Sequence, residues 1–345
     1  MTTAILVNVR SRHGSERMGA RIRAILPDAR VAVTHSLEDA RAWIRGELSV
    51  DCPELLLSGG GDGTAVALLN ELREQGVRVP AFGLLPLGTG NGWARATGDV
   101  GIRAAMRGLT TLRHFGPPPL RHFNLVEVEG RLSPFAGTGW DAEILADYRR
   151  SLADPGLLNR MGSTGGYLRS LFTRTIPRHI GRDARPHVRV INLGAPALRV
   201  DATGRAVPVP GGETGGLLYE GPLSVAGAAT TMDLGLGFRA FPFAHLVPGR
   251  MCVRVYAASA WGATLRMPWL WRGAHPLPHD HHFFVTRCRL EFDRPVPFEI
   301  GGDLAGERTE VELGLAGEGV PLVDWRRMAQ VQEWRAETAL GASRA

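Results

Sequence analysis

Two short runs hold most of the chemistry this sequence can offer: Ser58-Gly59-Gly60-Gly61-Asp62-Gly63-Thr64 and Pro86-Leu87-Gly88-Thr89-Gly90-Asn91. The first follows Leu55-Leu56-Leu57, which reads as a buried parallel strand, and precedes Ala65 to Leu72, which reads as a helix. Glycines at such a junction permit φ > 0 and let backbone N–H groups approach a ligand with no Cβ between them. The helix N-terminus behind favours anions, so Gly60, Gly61, Gly63 and Thr64 are expected to cradle phosphate. Asp62 would repel a bare phosphate unless a divalent cation or a substrate hydroxyl stood between. That combination points to phosphoryl transfer rather than phosphate storage.

The second run repeats the design. Ala81 to Leu85 reads as a strand that Pro86 ends, and Gly88, Thr89, Gly90 and Asn91 open an expected helix at Trp93 to Ala96. Two glycine turns at the carboxyl ends of neighbouring parallel strands face one crevice, the usual ligand site of an open α/β sheet. Either turn alone reads equally well as an ordinary tight connection. Together, with Asp and Thr embedded, they read as a nucleotide-phosphate site.

With these residues the chain resembles the diacylglycerol kinase catalytic family, which includes bacterial lipid kinases, sphingosine kinases and ceramide kinases. Gly-Gly-Asp-Gly-Thr is shared with the more distant NAD kinases and phosphofructokinases, and Pro-Leu-Gly-Thr-Gly-Asn selects the lipid-kinase branch. The resemblance runs from Ile5 to about Val323 and thins beyond the first third. It implies ATP and Mg²⁺ as the phosphoryl donor pair and a lipid hydroxyl as acceptor.

Composition fits that reading. The 345 residues are enough for two domains. All 40 basic residues are Arg, so a Walker-type lysine and a Schiff-base lysine are both excluded, and phosphates must be met by amides and guanidinium forks. The net charge of +6 suits a nucleotide or an anionic membrane surface and is too small to argue for nucleic acid. Cys52, Cys252 and Cys288 are widely spaced and form no disulfide or zinc pattern, so a reducing cytoplasm is expected, with peripheral contact at the inner membrane face. No uncharged apolar run reaches the roughly 18 residues needed to span a bilayer.

Strands are expected at Ala4 to Val9 and Arg30 to Thr34, a polar loop at Ser11 to Gly19, and helices at Arg21 to Leu26 and through Ala40, Trp43 and Ile44. With the strands at Leu55 and Phe82 this alternation predicts a doubly wound parallel sheet over residues 1–122. Residues 123–322 change character. After an alternating strand at Phe123 to Glu129 and a helical stretch over 142–174, short strands follow at His187, Gly221, Arg250, Arg287 and Glu310. That pattern predicts an antiparallel β-sandwich as the lipid-substrate domain. Residues 323–345 are expected to form a closing helix packed on the first domain.

The resemblance extends the candidate list. Asn8, with Ser11 and Arg12 in the loop behind it, and Thr34 match positions near the nucleotide, although a solvated loop and a helix cap are the plainer readings. Asp141 and Glu143 match a cleft segment that accepts a substrate hydroxyl. Asp303, in Phe298-Glu299-Ile300-Gly301-Gly302-Asp303, stands near the place of the family's C-terminal acids, where the usual base position is Gly301. Gly92 and Pro248 also replace acids, and Asn70-Glu71 lies one turn beyond the expected Asn-Glu. Asp62 and Asp303 are therefore the expected catalytic carboxylates, with Asp62 also the expected metal ligand.

Two further segments have surface chemistry. Trp261, Leu265, Met267, Trp269, Leu270 and Trp271, with Arg266 and Arg272, fit either a lipid interface or the domain core. His275, His279, His281 and His282 read as a solvated loop. A lipid kinase is the leading expectation; a pseudokinase or lipid-binding protein, and a soluble-substrate kinase of the NAD-kinase type, are the alternatives.

Overall fold

A computed structural model describes residues 1–98, 101–140, 142–143, 185–235 and 237–342. The chain divides into two units: residues 1–123 with 318–345, and residues 124–317. The first is α/β and the second antiparallel, as the alternation and the strand spacing anticipate.

In the first unit six strands form one sheet: β1 (Thr3–Asn8), β2 (Arg30–Thr34), β3 (Leu55–Gly60), β4 (Ala81–Pro86), β5 (Leu120–Phe123) and β18 (Val320–Val323). Their order is β2-β1-β3-β4-β18-β5, parallel through β18 and antiparallel at β5. Every residue of β3 and β4 is buried, which is why both read as unbroken apolar runs. Ile5, Val7, Leu55, Leu57 and Leu85 face helices α1 (Glu16–Ile25) and α4 (Ile102–Phe115). Ala4, Leu6 and Leu56 are equally buried toward the other side, where α2 (Leu37–Trp43) and α3 (Asp62–Glu74) pack.

Helix α1 starts earlier than the expected polar loop allows. Ser15 accepts the Met18 N–H and caps the helix, so the loop ends at residue 15. Ser36 caps α2 through a capping box with Asp39, which leaves Thr34 no capping role. The expected helix at Trp93 to Ala96 is a single 3₁₀ turn, Ala94–Ala96. Helix α4 has no counterpart in the sequence reading, although Ala105, Met106, Leu109 and Leu112 recur at helical spacing.

Helix α6 (Trp325–Ala342) belongs to the first unit. A Cβ added at Gly98 or Gly108 would lie 2.9 Å from the Trp325 side chain, and one at Gly83 would lie 3.5 Å from it. Three bare glycines thus form a slot for one indole, whose Nε1 donates to the Leu84 carbonyl at 3.0 Å. Trp325→Ala should cost about 3 kcal/mol, because the slot cannot close around alanine. Chemical denaturation would measure it, and a loss below half that value would show that the slot does not hold α6.

Among the described residues the second unit joins twelve strands into one antiparallel network: β6 (Val126–Val128), β7 (Arg131–Ser133), β8 (Phe135–Gly139), β9 (His187–Asn192), β10 (Leu198–Val200), β11 (Ala206–Pro208), β12 (Leu217–Pro222), β13 (Val225–Ala229), β14 (Met251–Tyr256), β15 (Asp280–Val285), β16 (Arg287–Ile300) and β17 (Asp303–Leu315). Strand β16 pairs with β9 through residues 288–292 and with β8 through residues 298–300. A register shift lies between Glu291 and Val296. One long irregular strand therefore serves both parts of the sheet, and Val190, Val253, Leu290, Phe298 and Val311 share one core. Helix α5 (Ala260–Arg272) connects β14 to β15.

The histidine segment corrects the sequence reading. His281 and His282 lie on β15, and His282 is buried. Its Nε2 stands 3.2 Å from Asp280 Oδ2. Arg254 grips the same carboxylate through Nε at 2.7 Å and Nη2 at 2.8 Å, and donates from Nη1 to the Ala240 carbonyl. Burial alone would raise the Asp280 pKa, but the Arg254 charge and the His282 contact outweigh it and hold the carboxyl below its usual range. Burial pushes the His282 pKa down despite Asp280.

Candidate functional site

The order β2-β1-β3 makes the gap beyond the carboxyl ends of β1 and β3 a topological switch point, where the connections run in opposite directions. Three segments meet there. Asn8 ends β1 and donates from Nδ2 to Thr64 Oγ1 at 2.9 Å, linking the first loop to the first turn of α3. Ser11 Oγ and Ser11 N–H both donate to the Asn8 carbonyl, and His13 N–H donates to the Leu87 carbonyl at 2.9 Å. The loop after β1 is thus stitched to both glycine turns.

The glycines act by closeness, not by left-handed backbone. None of Gly59, Gly60, Gly61, Gly63, Gly88 or Gly90 has positive φ; within the two turns that conformation belongs to Asn91, at φ 50°. A Cβ on Gly88 would lie 2.3 Å from Gly61 Cα and 2.8 Å from Gly61 N, so the two turns touch backbone to backbone. Leu87 and Gly88 N–H groups both donate to the Gly60 carbonyl, at 2.9 and 3.0 Å. A Cβ on Gly60 would strike Thr64 Oγ1 at 2.4 Å, whereas one on Gly63 meets nothing within 4 Å. The first turn of α3 is therefore open on the Gly63 side, and no side chain caps it. Thr64 and Ala65 N–H groups donate to the Gly61 carbonyl at 3.0 and 3.2 Å, which leaves the Asp62 and Gly63 amides for a ligand.

Asp62 ties the two turns together. Its Oδ2 accepts the Gly92 N–H at 2.6 Å and its Oδ1 accepts the Trp93 N–H at 3.1 Å. The carboxylate brackets the second turn onto the first, and Gly92 supplies one of the donors. Desolvation pushes the Asp62 pKa up to about 6, against the lowering pull of these amides and of Arg95. Arg95, on the 3₁₀ turn, is a cation beside the site that the sequence reading left without a role. Asn91 locks its own turn, accepting Gly88 N–H at 3.1 Å and donating to the Gly88 carbonyl at 2.9 Å.

Of the remaining candidates, Ser11, Thr89 and Gly90 are half-buried on the rim and Arg12 is exposed. Thr34 is buried, and its hydroxyl reaches back to the Val7 carbonyl at 3.5 Å. Asn70 Nδ2 donates to the Val66 carbonyl, and Glu71 takes a two-pronged grip from Arg41 at 2.9 and 2.8 Å, so this pair holds helices together. In the second unit Asp303 opens β17 opposite Ile300. Gly301 at φ 62° and Gly302 at φ 85° form the two-residue hairpin turn between them. Glu143 is half-buried in that unit, and Asp141 and most of the helical stretch over 142–174 lie outside the described residues.

Residues 2–112 match the family model of the diacylglycerol kinase catalytic domain. Solved structures extend the likeness in fold to both units. A candidate diacylglycerol kinase from Bacillus anthracis str. Sterne is 16% identical, with a TM-score of 0.63 over 93% of this chain and 94% of that one. A diacylglycerol kinase from the same organism is 14% identical, with a TM-score of 0.60 over 93% of this chain and 96% of that one. A comparison with curated proteins returns no match. Among the described residues no helix is long and apolar enough to cross a membrane.

Proposed function

We propose that this protein transfers the γ-phosphate of ATP to the hydroxyl of a lipid, diacylglycerol or a related long-chain alcohol. The observation that carries the reading is the pair of glycine turns abutting at the switch point, with the first turn of α3 open at Gly63. Backbone amides of that turn would receive the phosphates, and Asn8, Ser11, Arg12, Thr64 and Thr89 line the rim around them. Positioning and electrostatic stabilisation are the main demands of phosphoryl transfer, and both fall to this backbone cradle.

Among the described residues no group of three His, Cys, Asp or Glu could hold a metal, and both Asp62 oxygens are engaged by amides. Magnesium would arrive on the nucleotide phosphates and offset their charge there. Asp62, with its pKa near 6, is mostly ionised at neutral pH and still basic enough to take a proton.

The test is transfer of radiolabelled phosphate from ATP to a mixed lipid extract, with the product identified by mass. Labelled lipid is expected. ATP binding without transfer to any lipid would favour the pseudokinase reading, which Gly92, Pro248 and Gly301 motivate, and labelled NAD would favour the soluble-substrate reading. Asp303→Asn is expected to reduce lipid turnover about tenfold, as a residue that orients the acceptor rather than the sole base. Unchanged kcat and KM in that variant would remove Asp303 from the site.

A further inference from the structure

Helix α5 wears its apolar side outward. Trp261, Leu265 and Trp269 are 59%, 68% and 55% exposed, and Pro268 is exposed between them. These four fall at i, i+4, i+7 and i+8, one continuous stripe along the helix. The opposite side is anchored, because Ala263 and Leu270 pack with Trp140, Tyr256 and Ala258. Trp271 is engaged as well, stacked on Phe238 with ring centroids 5.2 Å apart. Among the described residues the stripe is therefore a held, unpartnered apolar surface rather than a segment awaiting the core.

The charged residues on the helix, and those nearest it along the chain, have one sign. Residues 234–279 contain Arg239, Arg250, Arg254, Arg266 and Arg272 and no Asp or Glu. Arg254 is spent on Asp280, while Arg272 is exposed at the end of the stripe and Arg266 flanks it. Tryptophan with arginine is the composition of an element at headgroup depth, rings at the boundary and guanidinium groups on lipid phosphates. A second copy is a poor occupant, since a twofold contact through this side would bring its cationic rim against itself. At 13 residues the helix is about 20 Å long, suited to lying in the interface plane.

We propose that α5 is a membrane-docking helix that inserts Trp261, Leu265, Pro268 and Trp269 into the boundary of an anionic phospholipid surface. The inference rests on this helix alone and does not require the kinase reading.

Sedimentation with vesicles of phosphatidylcholine, with and without phosphatidylglycerol, tests it. The wild type should bind the phosphatidylglycerol vesicles, more weakly as salt rises. The double variant L265S/W269S should lose about tenfold or more in affinity, since two inserted apolar side chains are removed. Its melting temperature should hold, because neither side chain is packed. Arg272→Gln should flatten the salt dependence. Wild-type binding by a folded double variant would overturn the proposal. So would a solution dimer that the double variant converts to monomer, or equal binding to vesicles lacking phosphatidylglycerol. Lipid phosphorylation in detergent micelles should survive in the double variant, so failure of docking and failure of the kinase reading are separable.

Discussion

Gly63→Val should lower nucleotide affinity about a hundredfold while leaving the melting temperature where it is. A Cβ at this position meets nothing within 4 Å, so the protein itself does not resist the substitution. Gly63 lies in the first turn of α3, where valine is no worse a helix former than glycine. What the branched side chain fills is the space a phosphate would need to reach the amides. Losing one or two hydrogen bonds to a charged oxygen, at about 1.5–3 kcal/mol each, corresponds to a fall in ATP affinity of roughly a hundredfold. Calorimetric titration would read it. Unchanged affinity in a folded variant would sink the phosphate-cradle assignment.

Asp62→Asn should separate function from stability. The amide keeps one acceptor for the Gly92 and Trp93 N–H groups and turns a donor toward the other, so the bracket between the turns is half lost. Lipid turnover is expected to fall about a hundredfold or more, because neither a substrate proton nor the local charge pattern can then be accommodated. Global stability at neutral pH should change little, since the lost hydrogen bond is offset by removal of a desolvated charge. The pH dependence distinguishes the two effects. The folded-state pKa is raised from 3.8 to about 6, so between those values the folded protein holds more of this proton than the unfolded chain. The contribution is fully present below the ordinary carboxylate value and is lost as pH rises through about 6. Wild type should therefore gain stability relative to the variant as pH falls through that window. Melting temperatures across a buffer series would show it, and parallel curves for the two proteins would mean that Asp62 is not desolvated as described.

Much of the first unit is legible because its signals are local. The runs at Leu55 and Phe82 are buried on both faces, and the glycine turns follow them directly. What escapes is the reason for the glycines. Their sequence suggests left-handed backbone, while the structure uses them where Gly88 meets Gly61 across a gap too narrow for a Cβ, a contact between segments far apart in sequence. The role of Asp62 is hidden in the same way, since its partners are backbone amides 30 and 31 residues later. Trp325 and its slot at Gly83, Gly98 and Gly108 form another such long-range fit. His282 misleads for a further reason. Four histidines among prolines look solvated, and only pairing of β15 with β14 sets His282 and Asp280 beside Arg254. The aromatic helix left two readings open because composition alone does not say which side of a helix faces inward.

The position of β18 has a bearing on how the protein is made. This strand sits inside the first sheet, between β4 and β5, yet it is translated after the whole of the second unit. A nascent chain that has already emitted both glycine turns must wait through residues 124–317 before the strand that covers β4 appears. At about 5–20 residues per second that interval is roughly 10–40 s. During it the apolar edge at Phe82 is a sticky template, so ribosome-associated chaperones have a defined client segment and a defined time in which to hold it.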